Sequence, residues 1–255
     1  MQVAGLGVRD VLGMVRDSRA TAGSTAPLVV TGMLAGELAR LLQSGAPDGG
    51  AVRVGGDPTG AAALVVVLGG APSASDERVM RSAARASVPV VAVQTDPMAD
   101  APLAYVPAAA VVVFQPGRGF PVDEIARALE GQLGRDAAPL AARIPALRDQ
   151  VVRELVRRAS LQAAFIGALP WRKGADLPAL ALVQVRLVLD LAVAHGRNVD
   201  HERAPELAVV AGSGLGVRAL VRRLPRRPPL IGGVTGYLTT RVLGEAAIRR
   251  FTTDD

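Results

Sequence analysis

The chain has no cysteine, which excludes disulfides, thiolate zinc centres and cysteine nucleophiles and leaves the redox compartment unmarked. Lysine is nearly missing too: Lys173 is the only one, so almost all positive charge is arginine. There are two histidines, His195 and His201, and no serine–histidine–acid arrangement stands out from chance. With Asp200 and Glu202 beside it, His201 has the letters of a metal ligand, but adjacent loop residues rarely converge on one ion, so no metal is expected. Aromatic residues make up 3% of the chain, too few for a base-stacking platform, so nucleic acid is not an expected partner. Unbroken apolar runs are lacking as well. The charge-free stretches Pro58–Ser75 and Ala101–Gly117 are interrupted by proline and glycine, and Leu177–Ala194 carries Arg186 and Asp190 near its middle. None reads as a membrane span. Met1–Asp10 has no apolar segment behind a basic cluster, so no secretory leader is expected and the expected location is the cytoplasm.

What the chain does have is apolar bulk and an uneven charge. Half of its 255 residues are apolar, enough for one large core or two modest ones. Residues 1–142 hold 11 basic and 13 acidic side chains, a net of −2, whereas residues 143–255 hold 18 and 10, a net of +8. Two regions with different partners are implied. A basic half suits an anionic membrane surface as readily as a solvated helical face.

Periodicity gives the organisation. Gly5–Arg19 has apolar residues at Val8, Val11, Leu12 and Val15, the spacing of an amphipathic helix. Five strands are expected at Leu28–Thr31, Val52–Val54, Ala63–Leu68, Val88–Val93 and Ala110–Phe114. Their valine-rich runs lack polar alternation, as strands covered on both faces do. Helical patterns lie between or after them at Met33–Gln43, Ser75–Ala86 and Val122–Leu133, the signature of a parallel sheet with crossover helices. After Gly134 the strands stop, and Leu140–Leu169, Leu177–Ala194, Pro205–Leu224 and Leu230–Phe251 read as helices. The expected fold is therefore a small, mostly parallel, doubly wound α/β domain over residues 1–136, with its N-terminal helix, and an all-α domain over residues 137–255.

Over about residues 26–133 the order of motifs resembles the Era-like GTPases of the translation-factor class. Such a domain places GxxxxGK[ST] after its first strand, where backbone N–H groups and the lysine hold phosphates. Here the first strand runs into Gly32-Met-Leu-Ala-Gly36-Glu37-Leu38, one residue short, with Glu37 in the lysine position and Leu38 in place of the magnesium-binding hydroxyl. Asp57-Pro-Thr-Gly60 has the form DxxG after the second strand. The next strand follows too soon for a switch helix, and the first switch region is missing. Val93-Gln-Thr-Asp96 stands where the family carries NKxD, with the aspartate kept and the asparagine and lysine gone. Phe114-Gln-Pro-Gly-Arg-Gly-Phe resembles the last loop, with Gln115 and Pro116 replacing serine and alanine. The resemblance implies a degenerate, non-catalytic G domain with no catalytic residue and no cofactor. Its alternative is a divergent GTPase holding GTP and magnesium through Gly32, Gly36, Asp57, Gly60 and Asp96.

The helical half resembles the YcjF-like family over about residues 160–252, in Asp176-Leu-Pro-Ala-Leu-Ala-Leu-Val-Gln-Val-Arg-Leu-Val-Leu-Asp190, closed by His195-Gly196, and in Leu230–Phe251. That family often follows GTPase domains, and some members are described as membrane-associated; no catalytic residues come with it. The glycines Gly212, Gly214, Gly216, Gly232, Gly233, Gly236 and Gly244 each cost a helix up to about 1 kcal/mol against alanine, which tight helix packing would offset. Gly212-Ser-Gly-Leu-Gly216 lacks both the third glycine of GxGxxG and a βαβ context, so it does not read as a dinucleotide site. Arg222, Arg223, Arg226 and Arg227 around Leu224-Pro225 form the expected interaction cluster. Arginines there suit an anionic lipid surface or a solvated helix end. The partners admitted are a protein or a second copy through the helical half, and an anionic membrane surface.

Overall fold

The computed structural model describes residues 22–96, 103–114, 117, 119–169, 176–197 and 229–253, with the isolated positions 13 and 16. Of the expected helix Gly5–Arg19 only those two positions are described, and both are helical. The helix expected at Pro205–Leu224 lies outside the described residues, as do Gly212, Gly214, Gly216, His201 and the arginines Arg222, Arg223, Arg226 and Arg227.

Five strands form one parallel sheet: β1 (Leu28–Gly32), β2 (Val52–Val54), β3 (Ala63–Leu68), β4 (Val90–Gln94) and β5 (Val111–Val113), in the order β2-β1-β3-β4-β5. Every residue of β3 and β4 is buried, which is why these strands carry valine and leucine without polar alternation. Helix α1 (Ala35–Gln43) links β1 to β2, and α2 (Ala74–Arg85) links β3 to β4. These two crossovers run in opposite directions along the sheet, so right-handed connection places the helices on opposite faces. Helix α3 (Val122–Leu133) follows β5 and packs on β4 and β5. The α/β fold and its doubly wound sheet are as the periodicity expects.

Local chemistry sets the helix ends. Ser73 accepts from the Asp76 backbone N–H while the Asp76 carboxylate accepts from that of Ser73, a reciprocal cap that starts α2. Gln43 donates from its amide to the Val52 carbonyl at 2.8 Å, tying α1 to the start of the edge strand β2. Arg143 clasps Asp48 at 2.8 Å and the Ala26 carbonyl at 2.9 Å, fastening the segments before β1 and before β2 to α4 (Ala137–Arg143).

The helix expected over Leu140–Leu169 is two helices, α4 and α5 (Pro145–Ala168). Pro145 supplies the reason: the residue before a proline is pushed out of the helical region, and Ile144 sits at φ −123°, ψ 88°. Proline is then well placed as the first residue of the new helix. Two compact units result, Ser24–Val151 and Met1–Gly23 with Val152–Asp255, so the α/β unit extends through α4 and the start of α5.

In the helical unit, α6 (Asp176–Ala194) is buried from Leu187 through Ala194, apolar but for Asp190. It ends on Gly196 at φ 67°, with Gly196 N–H donating to Val193 and Arg197 N–H to Ala192. That is a glycine-closed terminus. Helix α7 (Pro229–Thr253) packs against α6. It also meets α5 through its glycines. A Cβ on Gly232 would lie 2.2 Å from the Gly167 carbonyl, one on Gly233 3.1 Å from that of Ala164, and one on Gly244 2.7 Å from Val156. The close helix approach that the glycines lead one to expect is present at these three positions.

Candidate functional site

In a sheet of this order, ligands bind beyond the carboxyl ends of the strands, where neighbouring connections part to opposite faces. Here that point lies between β1 and β3. Gly32 pairs with Val67, Leu68 with Gln94, and Gln94 with Val113, so Met33, Gly69, Asp96 and Phe114 follow one another at this edge.

Gly32 is at φ 93°, and a Cβ would lie 2.2 Å from the Val67 carbonyl; only glycine fits. Met33 continues the ladder by donating its N–H to Val67 at 2.9 Å. Leu34 then turns the chain in the left-handed region at φ 56°, with no side-chain cap for the helix. Helix α1 starts at Ala35, so just two residues join strand to helix. A phosphate cradle needs a longer loop. Gly36 and Glu37 belong to the first turn of α1, and Leu38 is fully buried in the core. The Met33 side chain lies across Gly69: a Cβ built there would be 2.2 Å from its methyl carbon and 3.3 Å from its sulfur. A thioether therefore covers the β1–β3 parting.

Around it the first helical turns are acidic, with Glu37 in α1, Asp76 and Glu77 in α2, and Asp123 and Glu124 in α3. Each acid complements its helix dipole. Because the strands are parallel, all three helices start at the same edge, which Asp96 after β4 joins. No arginine or lysine occupies those first turns. Arg118, between β5 and α3, lies outside the described residues, as do Gln115 and Pro116.

The structure brings Gly32, Gly36 and Asp96 to this edge. Thr95 anchors the approach to Asp96, donating from its N–H at 2.9 Å and its hydroxyl at 3.2 Å to the Leu68 carbonyl. Asp57 and Gly60 lie elsewhere. The Asp57 carboxylate accepts from the Thr59 N–H at 3.1 Å, the Thr59 hydroxyl at 2.9 Å and, more distantly, Ser82 at 3.4 Å. Ser82 is in the last turn of α2, toward the amino edge of the sheet. The connection reaches that edge at Ala62, whose N–H donates to Pro27. These bonds, led by the Thr59 backbone N–H, hold the Asp57 carboxyl below its ordinary pKa. Asp57 closes its own turn and is not aimed at the parting.

Met33 is the residue the motif comparison passes over. Its signal was present, a bulky apolar side chain directly after Gly32. A second such feature is the Phe114–Phe120 ring contact, 5.0 Å between centroids, which spans the loop before α3. In the helical unit, buried His195 bonds through Nδ1 to the Leu191 carbonyl at 2.8 Å and lies against Phe251, a structural arrangement. Among the described residues, no group of three histidine, aspartate or glutamate side chains could hold a metal ion. None of the described helices is long and apolar enough to cross a membrane. Comparison of the chain with protein-family models, with curated proteins and with solved structures gives no match.

Proposed function

We propose that this chain is a non-catalytic, GTPase-like module that works by interaction or regulation, its α/β unit a scaffold and its helical half the part that engages a protein partner. The observation that carries this reading is the Met33 side chain lying over Gly69, where a phosphate-binding loop would have to open, with Glu37 in the position of the phosphate-binding lysine. A triphosphate there would lose its cradle to a thioether and face a carboxylate instead of an ammonium. The role of the helical half is supported by exposed apolar side chains at four-residue spacing, Leu161 and Phe165 on α5 and Val234, Leu238 and Val242 on α7. Exposed apolar rows of this kind mark interaction surfaces.

Isothermal calorimetry of the full chain with GTP and GDP in the presence of magnesium tests the reading. No saturable heat is expected. Micromolar binding of either nucleotide overturns it.

A further inference from the structure

Three of the polar side chains buried in the helical unit are Ser160, Gln184 and Thr240. Contacts of Gly233 with Ala164 and of Gly244 with Val156 set α5 and α7 antiparallel and bracket Ser160. The buried α7 residues opposite it are Gly236 and Thr240. Ser160 and Thr240 are fully buried, and Gln184 of α6 is 2% exposed. Gln184 donates from Nε2 to the Thr240 hydroxyl at 3.4 Å. That leaves Ser160 Oγ and Gln184 Oε1 buried without a hydrogen-bond partner.

Ser160 declines the usual remedy. A helical serine or threonine can bond back to its own helix, as Thr239 does to Thr235 and Thr252 does to Ile248. Ser160 makes no such bond, and its hydroxyl is buried without a partner. A buried polar site of this kind, with two to four partners within reach, is where internal water is found.

We propose that Ser160, Gln184 and Thr240 bind one water molecule as a permanent part of the helical core. The water donates one hydrogen to Gln184 Oε1 and the other to Ser160 Oγ, and it accepts the Thr240 hydroxyl proton, so that α5, α6 and α7 share one bound molecule. The sign of a single substitution tests this in the full chain. With the water in place, Ser160→Ala strands it and lowers the melting temperature of the helical unit, by about 4–8 °C for one lost bond. Without it, the same change removes an orphan hydroxyl and leaves the melting temperature unchanged or raised. Because a lost hydroxyl could also loosen packing, the second measurement is a cycle with Gln184→Met. Two residues that share a water are non-additive; a dry pair adds. Water-to-amide cross-relaxation at Thr240, seen by nuclear magnetic resonance, is expected in the native chain and lost in Ser160→Ala. A neutral or stabilising Ser160→Ala, an additive cycle, or no cross-relaxation each overturns the proposal.

Discussion

Alanine at Gly232 and alanine at Gly233 make a matched pair, because both lie in the first two turns of α7 and gain the same helix propensity, about 1 kcal/mol. Their surroundings differ. At Gly232 the added methyl would lie 2.2 Å from the Gly167 carbonyl oxygen, where ordinary contact is about 3.3 Å, so the two backbones must part by about 1 Å. A carbonyl in a helix cannot rotate away. At Gly233 the nearest atoms are the Ala164 oxygen at 3.1 Å and the Ala168 methyl at 3.4 Å, a clearance met by a few tenths of an ångström. Overpacking a close contact costs about 1–3 kcal/mol. Gly233→Ala should therefore come out near neutral or slightly stabilising, and Gly232→Ala destabilising by up to about 2 kcal/mol. With a urea slope of about 2 kcal/mol per molar, their midpoints should differ by about 0.5–1.5 M. Far-ultraviolet circular dichroism through a urea titration reads the helical transition directly. If Gly232→Ala unfolds at the same urea concentration as Gly233→Ala, or a higher one, the close approach of α5 and α7 is not what requires the glycine.

Restoring a hydroxyl at the magnesium position of the resembled motif should not restore binding. Leu38→Ser is expected to cost about 2–5 kcal/mol, because Leu38 is fully buried, and to leave calorimetry with magnesium and GTP flat; a stable variant that binds would contradict the core assignment. Two exposed carboxyls should shape the acid limb of stability. Asp48, held chiefly by Arg143 and then by the Gly50 N–H, and Asp57, held by Thr59, both sit below their ordinary values in the folded chain. A lowered folded pKa stabilises above the unfolded value, and that contribution fades as pH falls through the folded one. Melting temperature should therefore drop between about pH 5 and pH 2, and Asp48→Asn with Asp57→Asn should flatten the drop. An unchanged acid limb in the double variant would assign it to other groups.

The sheet was legible because its strands are chemically plain. Ala63–Leu68 is apolar at every position, and such a run fits only a strand covered on both sides. Helix starts were legible where the cap is local, as at Ser73 and Asp76. The break at Pro145 was also in the letters, but a long apolar pattern on both sides hid it. The candidate site was legible in what it lacks and not in what fills it. The missing lysine is a one-residue observation, whereas the Met33–Gly69 contact joins the residues that follow two different strands and depends on the β1–β3 register. At Asp57 the letters give the motif but not its position: with no helix between β2 and β3 the chain runs back toward the amino edge, and Asp57 goes with it toward Ser82.

The parallel arrangement of the strands also gathers three helix starts at one edge, where their dipoles together contribute roughly +1.5 elementary charges. The same first turns carry Glu37, Asp76, Glu77, Asp123 and Glu124, with Arg81 3.9 Å from Glu77, so opposite charges meet within a few ångströms of the backbone N–H groups. At physiological ionic strength their influence extends about 8 Å into solvent, so substitutions in any one of the three turns are felt at the other two only across that short range.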